Sequence, residues 1–122
     1  MTDYLMTTKQ FLDALARTES VNDPRALGDF DSDLSPHAFG RWQIHADRLI
    51  NLARRYNIWP TLGESHDSWH RRLMTAFYEN YCSFKTPEEI AVRHHLGHWA
   101  DPATDAAYVE RFRKYAQRLE SA

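Results

Sequence analysis

Apolar residues recur at helical spacing along much of the chain. Near its start, Thr7 and Gln10 form the pattern of a capping box, which predicts the beginning of a helix. The apolar stripe that follows consists of Phe11, Leu12 and Leu15. We expect this helix to end by Asp23, because Pro24 disfavours helical geometry in the residue before it.

Four further segments carry apolar stripes of the same period. They cover about residues 47–56, 65–81, 86–97 and 101–119. The fourth helix should begin with Thr86 as its cap and Pro87 in its first position, with Glu89 completing a capping box, and should end at Gly97. Apolar residues surround most of 65–81, so we expect that segment to form the central and most buried helix.

The segment between the first two helices has a different pattern. Asp, Gly, Ser and Pro dominate residues 23–36, which predicts turns and a small hairpin. The following run AFGRWQI alternates enough to be a short strand or an extended entry into the next helix. The predicted fold is α+β and mainly α, with about five helices and a small hairpin or irregular acidic segment in a single domain over residues 1–122.

Composition narrows the class of protein. The chain has 122 residues, of which 43% are hydrophobic and 13% aromatic, so it can bury a core. Its formal net charge of −2 argues against the basic footprint of a nucleic-acid-binding protein. Cys82 is the single cysteine, so no internal disulfide can form. No apolar run is long enough to span a membrane, and the polar residues 1–10 predict no secretory signal.

The order of motifs resembles the lysozyme-like superfamily, especially soluble lytic transglycosylases and invertebrate-type lysozymes. Those enzymes carry Glu-Ser at the end of a helix, then a turn or hairpin, and then a Gly-x-x-Gln-Ile run. The corresponding residues here are Glu19 and Ser20, followed by GRWQI from Gly40 to Ile44. Including weaker matches near the end of the chain, the resemblance spans roughly residues 11–119 and implies a lysozyme-like fold.

The resemblance also implies the residues of a site. Gly40 would let the backbone approach a sugar closely, and the Gln43 amide would bond Glu19 or the substrate. The stretch AVRHHLGHW stands where the transglycosylases carry Tyr-Asn-x-Gly. There His95 takes the place of the Asn and would bind an N-acetyl group or orient Glu19, whereas His94 replaces the Tyr and alters this part of the cleft.

Glu19 also has the position that a catalytic acid requires. It lies four residues beyond Leu15 and should therefore project from the inward face of the first helix. Removal from water disfavours the ionised carboxylate, so we expect a raised pKa. An acid that stays protonated at neutral pH can protonate the leaving oxygen of a glycosidic bond. The alternative is an ordinary Glu that caps or solvates the end of a helix.

A second carboxylate is less well defined. Ala38 occupies the position of the hen-type carboxylate, so that pattern is absent. Counting back from Gln43 places Asp33 near the invertebrate-type position, with Asp29 and Asp31 as rivals. All three could instead be turn-forming residues. Lytic transglycosylases need one Glu alone, because the C6 hydroxyl of the sugar attacks the cationic centre and gives a 1,6-anhydro product.

The spacing of the histidines suggests an alternative class, a metalloprotein. His66 and His70 are spaced i,i+4, as are His94 and His98, and that spacing can hold a metal from one face of a helix. No third ligand is indicated, so we expect no metal, and the resemblance implies no cofactor.

The sequence therefore predicts a lytic transglycosylase or muramidase that cleaves the β-1,4 bond between N-acetylmuramic acid (MurNAc) and N-acetylglucosamine (GlcNAc) in peptidoglycan. A chitin-type substrate would suit the same chemistry. The alternative is a catalytically inactive lysozyme-like module that binds glycan or protein. We expect a monomer that is made in the cytoplasm and acts on the cell wall, as phage lysis enzymes or virion enzymes do.

Overall fold

The computed structural model describes residues 6–30 and 35–121. Within these residues, the helices are α1 (Thr8–Ser20), α2 (Ala46–Tyr56), α3 (His66–Tyr81), α4 (Pro87–Leu96) and α5 (Ala106–Ser121), with a 3-10 turn at Pro102–Asp105 before α5. The strands are β1 (Leu27–Gly28), β2 (Ala38–Phe39) and β3 (Ile44–His45). The predicted α+β, mainly α fold class is confirmed. No helix in the described part of the chain is long and apolar enough to cross a membrane.

Local hydrogen bonds explain where the helices begin. The Thr7 hydroxyl accepts from the Gln10 backbone N–H, and the Gln10 side chain accepts from the Thr7 N–H, which completes the predicted capping box. Thr86 and Glu89 repeat this arrangement at α4. That helix ends at Gly97, whose φ of 83° is the left-handed conformation that glycine adopts without strain.

The three short strands form one antiparallel sheet in the order β1-β2-β3, which confirms the predicted hairpin. A turn over residues 40–43 joins β2 to β3. Gly40 and Gln43 both have positive φ in this turn, 81° and 48° respectively. The sheet lies between α1 and α2 along the chain, and β3 runs directly into α2.

The core is built around α1 and differs from the prediction for α3. Helix α1 packs against both α5 and α3. Its buried side chains are Phe11, Leu12, Ala14, Leu15, Ala16 and Thr18. Helix α3 buries one face, while Trp69 and Tyr81 are only partly covered and Glu79 and Asn80 are exposed. The prediction that α3 is the central and most buried helix is therefore wrong, because Phe77 and Tyr78 reach the core while the rest of its circumference is only partly covered.

Two hydrogen bonds fasten the sheet to α1. The buried Trp42 donates its indole N–H to the Leu12 carbonyl oxygen at 2.9 Å. The Ser20 hydroxyl donates to the Arg41 carbonyl oxygen at 2.7 Å and accepts from the Asp23 N–H at 3.0 Å. The C-terminal end of α1, which carries Glu19, is thus held against the turn between β2 and β3.

Candidate active site

Glu19 is the second-last residue of α1, and its side chain is only 9% exposed. This confirms the prediction that it projects inward. The chain turns away immediately afterwards, because Val21 and Asn22 adopt left-handed φ values of 54° and 65°. Such a conformation at a β-branched residue is strained and persists only where the surroundings hold it. The Ser20 hydrogen bonds provide that support here.

Two residues from the second half of the chain contact the Glu19 carboxylate, and a third supports one of them. The Tyr108 hydroxyl donates to Glu19 Oε2 at 2.5 Å. His95 Nδ1 lies 3.5 Å from the same oxygen, and its Nε2 lies 3.6 Å from Asp105 Oδ2. The His95 ring stacks on Tyr108 with a centroid separation of 4.0 Å. His95 therefore bridges two carboxylates and is held flat against an aromatic ring.

These contacts reverse the expected pKa of Glu19. Burial is the largest single influence and pushes the pKa up, but His95, His94 and Tyr108 together lower the pKa below 4.5. The predicted rise in pKa is therefore wrong. The pairing with Glu19 in turn raises the pKa of His95, and burial beside Glu19 raises the pKa of Tyr108. Between the lowered pKa of Glu19 and the raised pKa of His95, the pair is a Glu19 carboxylate facing a proton carried by His95.

His94 has a structural role. Burial lowers its pKa to about 4, so the ring is neutral at pH 7. Its Nε2 lies 2.6 Å from the Trp42 carbonyl oxygen and, as the protonated nitrogen, donates to it. A neutral His94 contributes no charge at pH 7, so His95 and Tyr108 are the groups that hold the Glu19 carboxylate there.

A groove lies beside His95. A cavity of about 510 Å³ is lined by His95 and by residues of α2 and α4, including Arg48 and Arg93. A second cavity of about 410 Å³ lies against the sheet, and the two share His45 and Asp47 in their walls. The two cavities are therefore neighbours. His95, in the wall of the larger one, connects that cavity to Glu19.

Gly40 and Gln43 hold the turn of the sheet. Gly40 is buried at a φ of 81°, and a Cβ there would lie 2.8 Å from His70 Nδ1, so both the backbone and the space require glycine. The Gln43 side-chain nitrogen donates to the Gly40 carbonyl oxygen at 3.0 Å. No hydrogen bond joins Gln43 to Glu19 among the described residues. The assignment of Gly40 and Gln43 to substrate binding stays a prediction.

The acidic segment is described only in part. Asp33 and its rival Asp31 lie outside the described residues, so the role predicted for Asp33 remains a prediction. Asp29 is 65% exposed, has a positive φ of 50° and pairs with His45 Nε2 at 2.6 Å. Its geometry is that of a turn residue, and it lines the second cavity.

The i,i+4 histidine pairs are packed against other protein groups, and His70 Nδ1 and His94 Nδ1 are buried without a hydrogen-bond partner. The rings of His66 and His70 stack at 6.3 Å, and His70 is buried against Gly40. In the other pair, His94 contacts the Trp42 carbonyl and His98 is exposed. Within residues 6–30 and 35–121, no group of three or more His, Cys, Asp or Glu side chains could hold a metal ion.

Sequence motifs gave no sign that four further residues belong to this region: Tyr108, Asp105, Arg48 and Arg93. Two of them could have been predicted from other signals. A buried Tyr hydroxyl needs a hydrogen-bond partner, and Tyr108 belongs to the apolar stripe of α5. Arg48 precedes the buried Leu52 by four residues, which places it beside the inward face of α2.

Comparison with protein-family models, with curated proteins and with solved structures gave no match. The likeness to lysozyme-like enzymes therefore rests on the motifs of the sequence and stays a prediction.

Proposed function

We propose that this protein cleaves the β-1,4 bond between MurNAc and GlcNAc in peptidoglycan, with Glu19 as the proton donor. The observation that carries the proposal is the position of the Glu19 carboxyl group. It is nearly buried at the junction of α1 and the sheet, and His95 links it to the groove. Among the described residues its contacts with Tyr108 and His95 are made through Oε2.

The lowered pKa of Glu19 requires a source for the proton that it donates, and His95 provides it. Between the lowered pKa of Glu19 and the raised pKa of His95, the pair holds one proton, which resides on His95. His95 is 38% exposed, so a glycan in the groove removes water from it. Loss of water disfavours the two charges and favours transfer of the Nδ1 proton to Glu19, which gives a neutral pair. Asp105 Oδ2 lies 3.6 Å from Nε2, so its charge favours a proton on His95.

The chemical step then proceeds from protonated Glu19. Its proton passes to the glycosidic oxygen, the C1–O bond breaks and its electron pair stays with the departing GlcNAc. The cationic centre at C1 of MurNAc is trapped either by the C6 hydroxyl of the same sugar or by water. The proton of the attacking hydroxyl returns to the Glu19 carboxylate. The products are a 1,6-anhydro sugar in the first case and a reducing sugar in the second.

Asp33 distinguishes these two routes. If Asp33 activates water or stabilises the cation, Asp33→Asn should reduce the rate by about 10²-fold or more, and the wild-type product should be a reducing sugar. If Glu19 acts alone, Asp33→Asn should stay within a few-fold of wild type and the product should be a 1,6-anhydro sugar. We favour the single-Glu route, because Asp29, in the described part of the acidic segment, has the geometry of a turn residue. An inactive Asp33→Asn variant of an enzyme that makes anhydro sugars would contradict both routes.

The test of function is the clearing of a peptidoglycan suspension. Wild-type protein should reduce the turbidity, and Glu19→Gln should abolish the effect while keeping the same helical circular dichroism. Glu110→Gln is the matched control, because Glu110 is exposed on α5, the helix that supplies Tyr108. A folded Glu19→Gln variant that retains most of the activity would remove Glu19 from the proposed role.

The second candidate is a binding module without catalytic activity. It is favoured by the ion pair that Glu19 forms with His95 in the absence of ligand, since an ionised carboxylate cannot act as an acid. If neither wild type nor Glu19→Gln clears peptidoglycan from several sources while both bind soluble muropeptides, this second function replaces the first.

A further inference from the structure

Two arginines in the wall of the larger cavity have buried nitrogen atoms without partners. They are Nε and Nη2 of Arg48 on α2 and Nη1 of Arg93 on α4. Neither guanidinium forms an ion pair with any residue in the described part of the chain. Buried charged groups are normally paired, because an unpaired one forfeits its hydration without compensation. No residue in the described part of the chain therefore supplies a counter-charge to either arginine.

The surroundings of these arginines fix them in place but do not neutralise them. The Arg48 guanidinium lies over the Phe77 ring at 4.7 Å, and that of Arg93 lies over Trp99 at 5.8 Å. The nearest acid in the cavity wall is Asp47, which is exposed and accepts a hydrogen bond from the backbone N–H of Arg48. Aromatic rings thus hold the faces of both guanidinium groups, and the three buried nitrogens have no hydrogen-bond partner.

Both arginines face a space that a ligand can enter. The cavity has a volume of about 510 Å³, and Arg55 adds a third cationic side chain to its wall. Arg93 also lies close enough to Arg48 for their like charges to repel. An arginine fork matches the two oxygens of a carboxylate, which accepts two parallel hydrogen bonds and removes this repulsion.

We propose that Arg48 and Arg93 bind a carboxylate group of the ligand, which makes the cavity a subsite for an acidic glycan and not for neutral chitin. The identity of the ligand rests on the proposed function. In peptidoglycan, MurNAc carries a lactyl carboxyl group, which is either free or extended by a peptide with its own carboxylates, whereas GlcNAc carries none. His95 lines the same cavity and touches Glu19, so the bound carboxylate belongs to a sugar near the cleaved bond.

The experiment measures binding by isothermal titration calorimetry at low salt. The probes are the GlcNAc-MurNAc disaccharide with a free lactyl carboxylate, the same disaccharide with that group amidated, the disaccharide dipeptide, and chitobiose. None of them contains the MurNAc-GlcNAc bond, so the wild-type chain can be titrated without turnover. We expect the free lactyl form or the dipeptide form to bind at least about tenfold more tightly than the amidated form and chitobiose, the scale of a charge-assisted hydrogen bond. Which of the two binds tightly identifies the carboxylate.

Variants then connect this preference to the two arginines. Arg48→Gln and Arg93→Gln should each remove most of the preference for the carboxylate. Arg54→Gln should leave it unchanged, because Arg54 is exposed on the same helix as Arg48. If a variant does not fold, the wild-type protein is titrated again at high salt. Its preference for the carboxylate probes should then be lost, because salt screens the charge of the arginines.

The outcomes separate this inference from the proposed function. Equal affinity for the carboxylate and amide forms, or an unchanged preference in both Gln variants, would overturn the carboxylate subsite even if the protein cleaves peptidoglycan. A carboxylate preference that depends on Arg48 and Arg93 supports the subsite even if no cleavage is found. Failure of all four probes to bind overturns it.

Discussion

Replacing Arg48 by Met should make the ligand-free protein more stable. Burial, followed by the charge of Arg93, lowers the pKa of Arg48 to about 10, well below the ordinary value of an arginine. A pKa change of one corresponds to about 1.4 kcal/mol, so keeping this guanidinium charged in the folded state costs up to about 3 kcal/mol. Because the folded pKa is below the unfolded pKa, this cost is fully present at pH 7 and is relieved only as the pH rises above about 10.

The substitution also removes favourable contacts, which reduces the gain. The stacking of the guanidinium on Phe77 at 4.7 Å is worth about 1 kcal/mol. Methionine has a similar length and an adaptable shape, so the packing of the aliphatic part should persist. The expected net increase in the free energy of unfolding is about 1–2 kcal/mol, in line with other replacements of unpaired buried charge by apolar side chains.

Urea unfolding at pH 7 and low salt measures this difference in the free energy of unfolding. In thermal unfolding, the Tm should rise by about 4–8 °C. Arg54→Met is the matched control, because it changes an exposed arginine of the same helix, and it should stay within about 0.5 kcal/mol of wild type. An Arg48→Met variant that is less stable than wild type by 1 kcal/mol or more would refute the reasoning, since it would mean that the ligand-free protein already compensates this charge.

Two further predictions concern the proton on His95 and the turn of the sheet. Wild-type activity should fall as the pH rises through the pKa of His95, which is raised above 6.5. His95→Gln should move this decline to acidic pH, where Glu19 is protonated without help. The variant should therefore lose at least about 10²-fold in activity at pH 7. The pH–rate profile measures both effects; His98→Gln is the control, and an unchanged His95→Gln profile would contradict the proton source. Gly40→Ala should lower the free energy of unfolding by about 2–4 kcal/mol and Gly63→Ala by only about 1 kcal/mol, because both have a φ of 81° but only Gly40 has a neighbour in the way. Equal losses in urea unfolding would show that the contact at Gly40 has no effect.

The start of α1 and both ends of α4 could be predicted from the sequence because short-range chemistry determines them, whereas α5 begins at Ala106, after a 3-10 turn, and not near residue 101. The Thr7 and Thr86 caps are made by side chains three residues away, and Gly97 ends α4 through its own backbone conformation. The inward direction of Glu19 follows in the same way from its spacing to Leu15. Each of these features depends on neighbours that are close in sequence.

The pKa of Glu19 could not be predicted from the sequence, because the groups that control it are distant along the chain. Tyr108 lies 89 residues away from Glu19, and its hydroxyl forms the shortest contact of the carboxylate. Local pattern indicates burial, which raises the pKa, but gives no information on the compensating donors. The unpaired charge of Arg48 has the same origin, since the proximity of α2 and α4 in the cavity wall is a tertiary feature. The apolar residues of α3 likewise do not reveal how much of its circumference other helices bury.

Mass spectrometry of the soluble products from purified peptidoglycan at pH 7 tests the central claim most directly. Wild-type protein and Glu110→Gln should release muropeptides that end in MurNAc, in the 1,6-anhydro form if Glu19 acts alone, and Glu19→Gln should release none. Release of the same products by a folded Glu19→Gln variant, or of fragments that end in GlcNAc, would contradict the account.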